Sequence, residues 1–258
     1  MLVGMRFTSN QTIWSEALMA KNEENNKKEL KKKKKGSMTN DEMRAAALQA
    51  ARRSFTAYGY FGSRVDTIAT EAKVNKRMIY AFYDSKIVLY AYVRATVANE
   101  IKARLNEKLP ETGNWHDDAR ATMRWCLELY YQSIDFVRLV MWESMVPIDL
   151  SNLDFNALRE EKGLNFTLDD CDILDTAAKV TDKISTLIQK GVELGYFKEE
   201  VEPLNLVLSS FMSQGYFASL ITRKADILKR YKIDLNDHDV HKRVVNLMVD
   251  LFFKLTVK

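Results

Sequence analysis

From Ala47 to Tyr58, and again from Val240 to Phe252, apolar residues return every three or four positions. That is the repeat of an α-helix with one buried face. Ala47, Leu48, Ala51, Phe55 and Tyr58 make the first stripe; Val240, Val244, Leu247, Met248, Leu251 and Phe252 make the last. Strands would need alternation at period two, which is scarce. Helix breakers are scarce as well, with nine glycines and three prolines in 258 residues. Because 47% of the residues are hydrophobic, a large core can be filled. These features predict an all-α fold.

Charge is unevenly spread. Residues 1–37 hold nine Lys/Arg against four Asp/Glu, residues 38–86 eight against five, and residues 87–258 22 against 26. A polyanionic partner would therefore meet the front of the chain. The stretch KNEENNKKELKKKKKGS offers almost nothing to bury, and Lys31 to Lys35 repel one another, so 1–37 reads as a disordered Lys-rich extension. Two further divisions follow: a small domain over 38–86 and a larger helical one over 87–258.

In the small domain, Thr39 or Asn40 can cap a first helix that Gly59 ends. Ser63-Arg64-Val65-Asp66 has the form of a capping box and predicts a short second helix, with Val65, Ile68, Ala69 and Ala72 facing inward. Lys73-Val74 makes a turn, Asn75 caps a third helix, and Asp84 or Ser85 caps a fourth running from Lys86 to about Leu109. Farther on, the pattern predicts helices over about 115–145, 168–194, 203–229 and 237–255, with a break at Pro147 and a polar stretch through Gly163. The short pair VDTIATEA and NKRMIYAFY has helix-turn-helix spacing, in which the second helix is held out toward a DNA major groove.

The residues from Arg44 to Leu89 resemble the TetR (tetracycline-repressor-like) family of transcriptional regulators. Ala50-Ala51, Phe55 and Gly59-Tyr60 match that family's first helix and its exit. Ser63, Val65, Ile68-Ala69, Ala72 and Val74 match the second helix and turn; Ile79-Tyr80, Tyr83 and Ser85-Lys86 match the end of the recognition helix and the next start. The resemblance implies a DNA-binding domain followed by a ligand-binding and dimerisation domain. It implies phosphate contacts at Ser63, Arg64 and Lys86, base-edge contacts at Lys76, Arg77 and Met78, and a backbone contact through the Tyr80 hydroxyl. Four positions depart from the family: Lys73 replaces its turn glycine, Met78 a small hydroxyl residue, Phe82 a histidine or other polar residue, and Ser54 a core leucine.

The function so implied is sequence-specific DNA binding by a transcriptional regulator, a repressor released from operator DNA by a small-molecule inducer. The partners are double-stranded operator DNA, the inducer and a second copy of the chain, through the last two long helices. Trp125, Leu129, Tyr130, Phe136, Met141, Trp142 and Met145 crowd the middle helices, but each fits a core as well as a pocket, so no ligand residue is named. No enzyme, cofactor or metal is expected: no glycine-rich phosphate loop is present, and His238/His241 and Asp169-Asp170-Cys171-Asp172 suit helix surface or caps. Cys126 and Cys171 lack metal spacing, no window approaches the roughly 20 apolar residues of a membrane span, and the N-terminus lacks signal-peptide order, which together predict a cytoplasmic protein. A helical protein–protein adaptor without a DNA role is the alternative.

Overall fold

The computed structural model describes residues 38–109, 111–163, 165–197 and 223–256. The Lys-rich extension over 1–37 and most of the helix expected over 203–229 lie outside the described residues. The chain divides into two compact units, Met1–Ala45 and Ala46–Lys258. It is all-α. Among the described residues, ten helices follow in order: α1 (Asn40–Gly62), α2 (Val65–Ala72), α3 (Lys76–Tyr83), α4 (Lys86–Leu105), α5 (Trp115–Gln132), α6 (Ile134–Met145), α7 (Phe155–Lys162), α8 (Ile173–Glu193), α9 (Lys224–Tyr231) and α10 (His238–Thr256). A 3-10 turn at Asp169–Cys171 precedes α8.

Local chemistry sets the starts of these helices. The Thr39 hydroxyl accepts from the Glu42 N–H at 3.3 Å while the Glu42 carboxylate accepts from the Thr39 N–H at 2.7 Å, a reciprocal capping box. The Ser85 hydroxyl accepts from the Val88 N–H at 3.4 Å and opens α4. At Gly59 (φ 68°, ψ −179°) α1 breaks, and one more turn carries it to Gly62. The Trp142 indole of α6 lies directly on this glycine and donates its Nε1–H to the Thr56 carbonyl at 3.2 Å. Successive helix positions point about 100° apart, so with Gly59 buried under the indole, Tyr58 turns outward and is 62% exposed. The predicted stripe therefore ends at Phe55.

Helix α4 is the axis of the larger unit. Every residue from Val88 to Ala95 is buried, and α6, α8 and the 3-10 turn pack around it. A helix covered on all sides normally carries only apolar residues, yet Arg94 sits in this one. Its Nε–H donates to the Cys171 carbonyl at 2.7 Å, and Nη1 donates to the Ile148 carbonyl at 3.1 Å and stands 3.4 Å from the Glu143 carboxylate. Glu143, on α6, also accepts from the Tyr90 hydroxyl at 2.6 Å and the Ile148 N–H at 3.0 Å. Every charge in the group has partners, as burial demands.

Three expected spans differ. The helix predicted over 115–145 is two helices, because Ser133 leaves the helical region (φ −120°, ψ 49°) without a glycine or proline to announce it. The polar stretch after Pro147 contains α7, capped by the Asp154 carboxylate, which accepts from the Asn156 and Ala157 N–H groups at 3.0 and 2.9 Å. The fourth helix stops at Leu105, short of Leu109. A second core joins α5, α8 and α10 through Trp115, Met123, Leu127, Ile188, Val245, Val249 and Phe252. No helix among the described residues is long and apolar enough to cross a membrane.

Candidate nucleic-acid interface

Helices α2 and α3 are joined by a turn whose geometry depends on one residue. Lys73 adopts the left-handed conformation (φ 55°, ψ 37°), its N–H donating to the Thr70 carbonyl at 3.2 Å and the Val74 N–H to the Ala69 carbonyl at 3.0 Å. This is a Schellman end, normally closed by glycine. The lysine holds the same conformation at a local cost of about 1–2 kcal/mol, and Val74, buried just after it, secures the turn.

Helix α3 then presents two faces. Ile79 and Tyr83 are buried at 1% exposure, whereas Lys76, Arg77 and Tyr80 face solvent and Met78 is half-buried. Asn75 opens the helix by accepting from the Arg77 N–H at 2.8 Å. Across the turn, the Lys76 ammonium meets the Asp66 carboxylate at 2.8 Å. That hydrogen bond raises the Lys76 pKa. Because Asp66 lies in the first turn of α2 and Lys76 opens α3, the bridge brings two helix N-termini together. Their unpaired N–H groups and dipoles make such ends favourable to anions. Arg64 stands exposed at the start of α2, and neither Arg64 nor Arg77 has an ion-pair partner among the described residues.

Two expected site residues are placed in unexpected ways. The capping box at Ser63 does not form: Arg64 occupies the N-cap position with no side-chain bond. Ser63 is 2% exposed, and its hydroxyl donates to the Gly59 carbonyl at 2.8 Å, a group the kink in α1 leaves free. Lys86, at the first position of α4, is half-buried with its ammonium 4.4 Å from the Tyr60 ring centroid. Burial lowers its pKa.

The far end of α3 is seated by the larger helical region. The Lys162 ammonium of α7 reaches the Ala81 carbonyl at 3.5 Å. Rings run inward from the same end: Phe82 lies 6.4 Å from Tyr83, Tyr83 5.0 Å from Tyr92, and Tyr92 4.8 Å from Phe166. Phe82, anomalous from sequence, thus belongs to an aromatic ladder rather than a polar contact. Helix α1 is tied down separately, since Arg52 forks onto Glu100 at 2.6 and 2.9 Å and reaches Asp135 at 2.7 Å. The Arg52 and Lys162 links join residues 48 to 83 positions apart, and no local pattern announces them.

The other titratable clusters are structural. Asp172 caps α8 by accepting from the Asp175 N–H at 2.8 Å, and the Asp170 carboxylate accepts from the Thr167 N–H and hydroxyl at 2.9 and 3.0 Å. Burial pushes the thiols of Cys126 and Cys171 up to about 12, so neither is a ready nucleophile. His241 is fully buried, stacked at 3.5 Å on Tyr131 with Nε2 3.2 Å from Glu128.

Residues 47–93 match the profile of bacterial regulatory proteins of the tetR family. The HTH-type transcriptional repressor SCO4008 of Streptomyces coelicolor is 29% identical over 118 residues, which cover 46% of this chain and 57% of that protein. The HTH-type transcriptional repressor NicS of Pseudomonas putida is 30% identical over 110 residues, covering 41% of this chain and 50% of that protein. The chain thus spans about half the length of these curated relatives. A solved structure, SCO3833 of Streptomyces coelicolor A3, a member of the TetR transcriptional regulator family, shares the fold with a TM-score of 0.52 at 16% identity; the match covers 80% of this chain and 89% of that one. Over this helix-turn-helix segment the chain is similar to the tetR family of bacterial regulatory proteins.

Proposed function

We propose that this chain is a sequence-specific DNA-binding transcriptional regulator, a repressor that a small-molecule inducer releases from its operator. The observation that carries the reading is the pair of helix N-termini held on one face by Asp66 and Lys76, with Arg64, Arg77 and Tyr80 exposed beside them. Residues 38–86 act as the DNA-binding domain and residues 87–258 as the ligand-binding and dimerisation domain. Arg64 and Lys86 contact phosphates, Lys86 after leaving the Tyr60 ring. Lys76 and Arg77 reach base edges, where a cation can donate to guanine O6 and N7, and Met78 offers an apolar contact such as a thymine methyl accepts. The Tyr80 hydroxyl meets the backbone. Ser63 acts indirectly, by fixing the start of α2 from the Gly59 carbonyl.

A homodimer supplies the two-fold arrangement that spaces recognition helices by about 34–36 Å. Supporting it, α10 turns apolar residues away from the core: Leu247 is 67% and Leu251 42% exposed, with Val244 half-buried one turn before. Two relatives named as repressors support the direction of regulation. The protein works in the cytoplasm by binding and not by catalysis, and the inducer acts by preferring the conformation whose DNA-binding heads do not fit adjacent grooves.

The test is a gel shift on the DNA upstream of the protein's own gene across a salt series. Binding is expected to weaken steeply with salt. Arg77→Ala is expected to lose about 1–3 kcal/mol of discrimination between operator and scrambled DNA. Failure to bind at low salt would return the adaptor reading.

A further inference from the structure

We propose that Asp66 is a specificity-determining residue that competes with DNA for Lys76, so that this lysine is released only on the correct operator. The proposal rests on the DNA-binding reading above. Its basis is the uneven state of the cations around α2 and α3. Arg64 and Arg77 carry no ion-pair partner among the described residues. Lys76 is held 2.8 and 2.9 Å from the two Asp66 oxygens, and Arg53 of α1 is paired with Glu71 in the same way. Two anions of α2 thus occupy cations that phosphates would otherwise attract.

The Asp66–Lys76 bridge suits a competitor. Its side chains are 72% and 45% exposed, so water screens it and a better partner can open it. Opening it has a consequence that a simple surface pair elsewhere lacks. The vacated Asp66 carboxylate remains in the first turn of α2, two residues from Arg64, and its like charge is unfavourable beside any phosphate that Arg64 binds. Any partner that takes Lys76 leaves Asp66 unpaired, and a phosphate offers only an undirected anion in return. A guanine presenting O6 and N7 offers a directed contact that a wrong base lacks. Lys76 accordingly stays on Asp66 over nonspecific DNA and transfers at the operator. Arg77, unpaired, contributes cationic attraction to both.

The experiment measures binding of the full chain by fluorescence anisotropy to an operator duplex and to a scrambled duplex of equal length, between 50 and 200 mM salt. Asp66→Ala and Asp66→Asn are both expected to free Lys76 for one additional phosphate on scrambled DNA. One phosphate steepens the salt slope by about 0.9. Scrambled-DNA affinity at 50 mM relative to 200 mM then rises about 3.5-fold more than for the unmodified protein, and the operator-to-scrambled ratio falls. In a Lys76→Ala background the same Asp66 substitutions leave the slope unchanged, and Asp66→Glu keeps the original behaviour. Circular dichroism melting verifies that each variant folds. An unchanged scrambled-DNA slope in Asp66→Ala and Asp66→Asn overturns the proposal while leaving the DNA-binding reading intact. So does a steeper slope that persists without Lys76. Unmodified protein that binds neither duplex overturns both.

Discussion

Gly59→Ala is expected to damage the protein by two separable routes. A Cβ at this position would lie 2.9 Å from Trp142 Cδ2, closer than real Cβ contacts come, and a tight 3.1 Å from Cε3, and the indole is held by its bond to the Thr56 carbonyl. Forcing extra volume into such a site costs about 1–3 kcal/mol. The backbone adds its own strain, since φ 68° with ψ −179° is a region that residues with a Cβ scarcely enter, at about 1–3 kcal/mol. Together they amount to roughly 2–6 kcal/mol, a fall in Tm of at least about 4 °C for a unit of this size. Urea unfolding of Gly59→Ala, Trp142→Leu and the double variant separates the routes. Removing the indole relieves the clash but not the dihedral strain, so Gly59→Ala in the Trp142→Leu background retains only about 1–3 kcal/mol, and the difference is the coupling. A Gly59→Ala loss below about 1 kcal/mol with no coupling to Trp142 would refute both the kink and the indole contact as causes.

Glu143→Ala leaves the Arg94 guanidinium buried without its carboxylate and is expected to lose about 3–5 kcal/mol in urea unfolding. Replacing both charges with Met or Leu recovers much of that loss. Burial holds the His241 imidazole below its ordinary pKa, against the pull of Glu128 at 3.2 Å, with His238 opposing protonation as well. The unfolded chain therefore takes up a proton near pH 6.5 that the folded chain does not. Stability present above that pH falls as the pH drops below it, and His241→Gln flattens the dependence in melts between pH 8 and 5. Leu247→Asp with Leu251→Asp, on the exposed face of α10, is expected to yield monomers in sedimentation and to weaken binding to a two-fold operator while leaving the core of α5, α8 and α10 intact.

Where the physics is local, the sequence conveys it. Asn75 caps the third helix as expected, and of Asp84 and Ser85 it is Ser85 that caps the fourth, because an Asx or Ser side chain needs only an N–H two or three residues ahead. The inward turn of Val65, Ile68, Ile79 and Tyr83 follows from helical periodicity alone. Ser63 marks the limit of that logic. The string Ser-Arg-Val-Asp satisfies the capping pattern, but the kink at Gly59 frees a carbonyl that claims the hydroxyl, and Asp66, its expected partner in the box, is drawn off by Lys76. Both diversions depend on the path of the chain and not on residue spacing.

The same distinction explains the candidate site. Periodicity suffices to put Lys76 on the exposed face of α3, since Ile79 and Tyr83 claim the other side. Nothing in ten residues of sequence says that the turn folds back far enough to set that ammonium 2.8 Å from Asp66. The closure depends on Lys73 adopting a left-handed conformation that glycine would take more readily. A lysine at the turn thus fixes the spacing through which another lysine is restrained, and the motif's free cationic charge is smaller than its composition suggests. Counting basic residues gives the sign of the partner; which of them are available to it is decided by the acids the turn brings within reach.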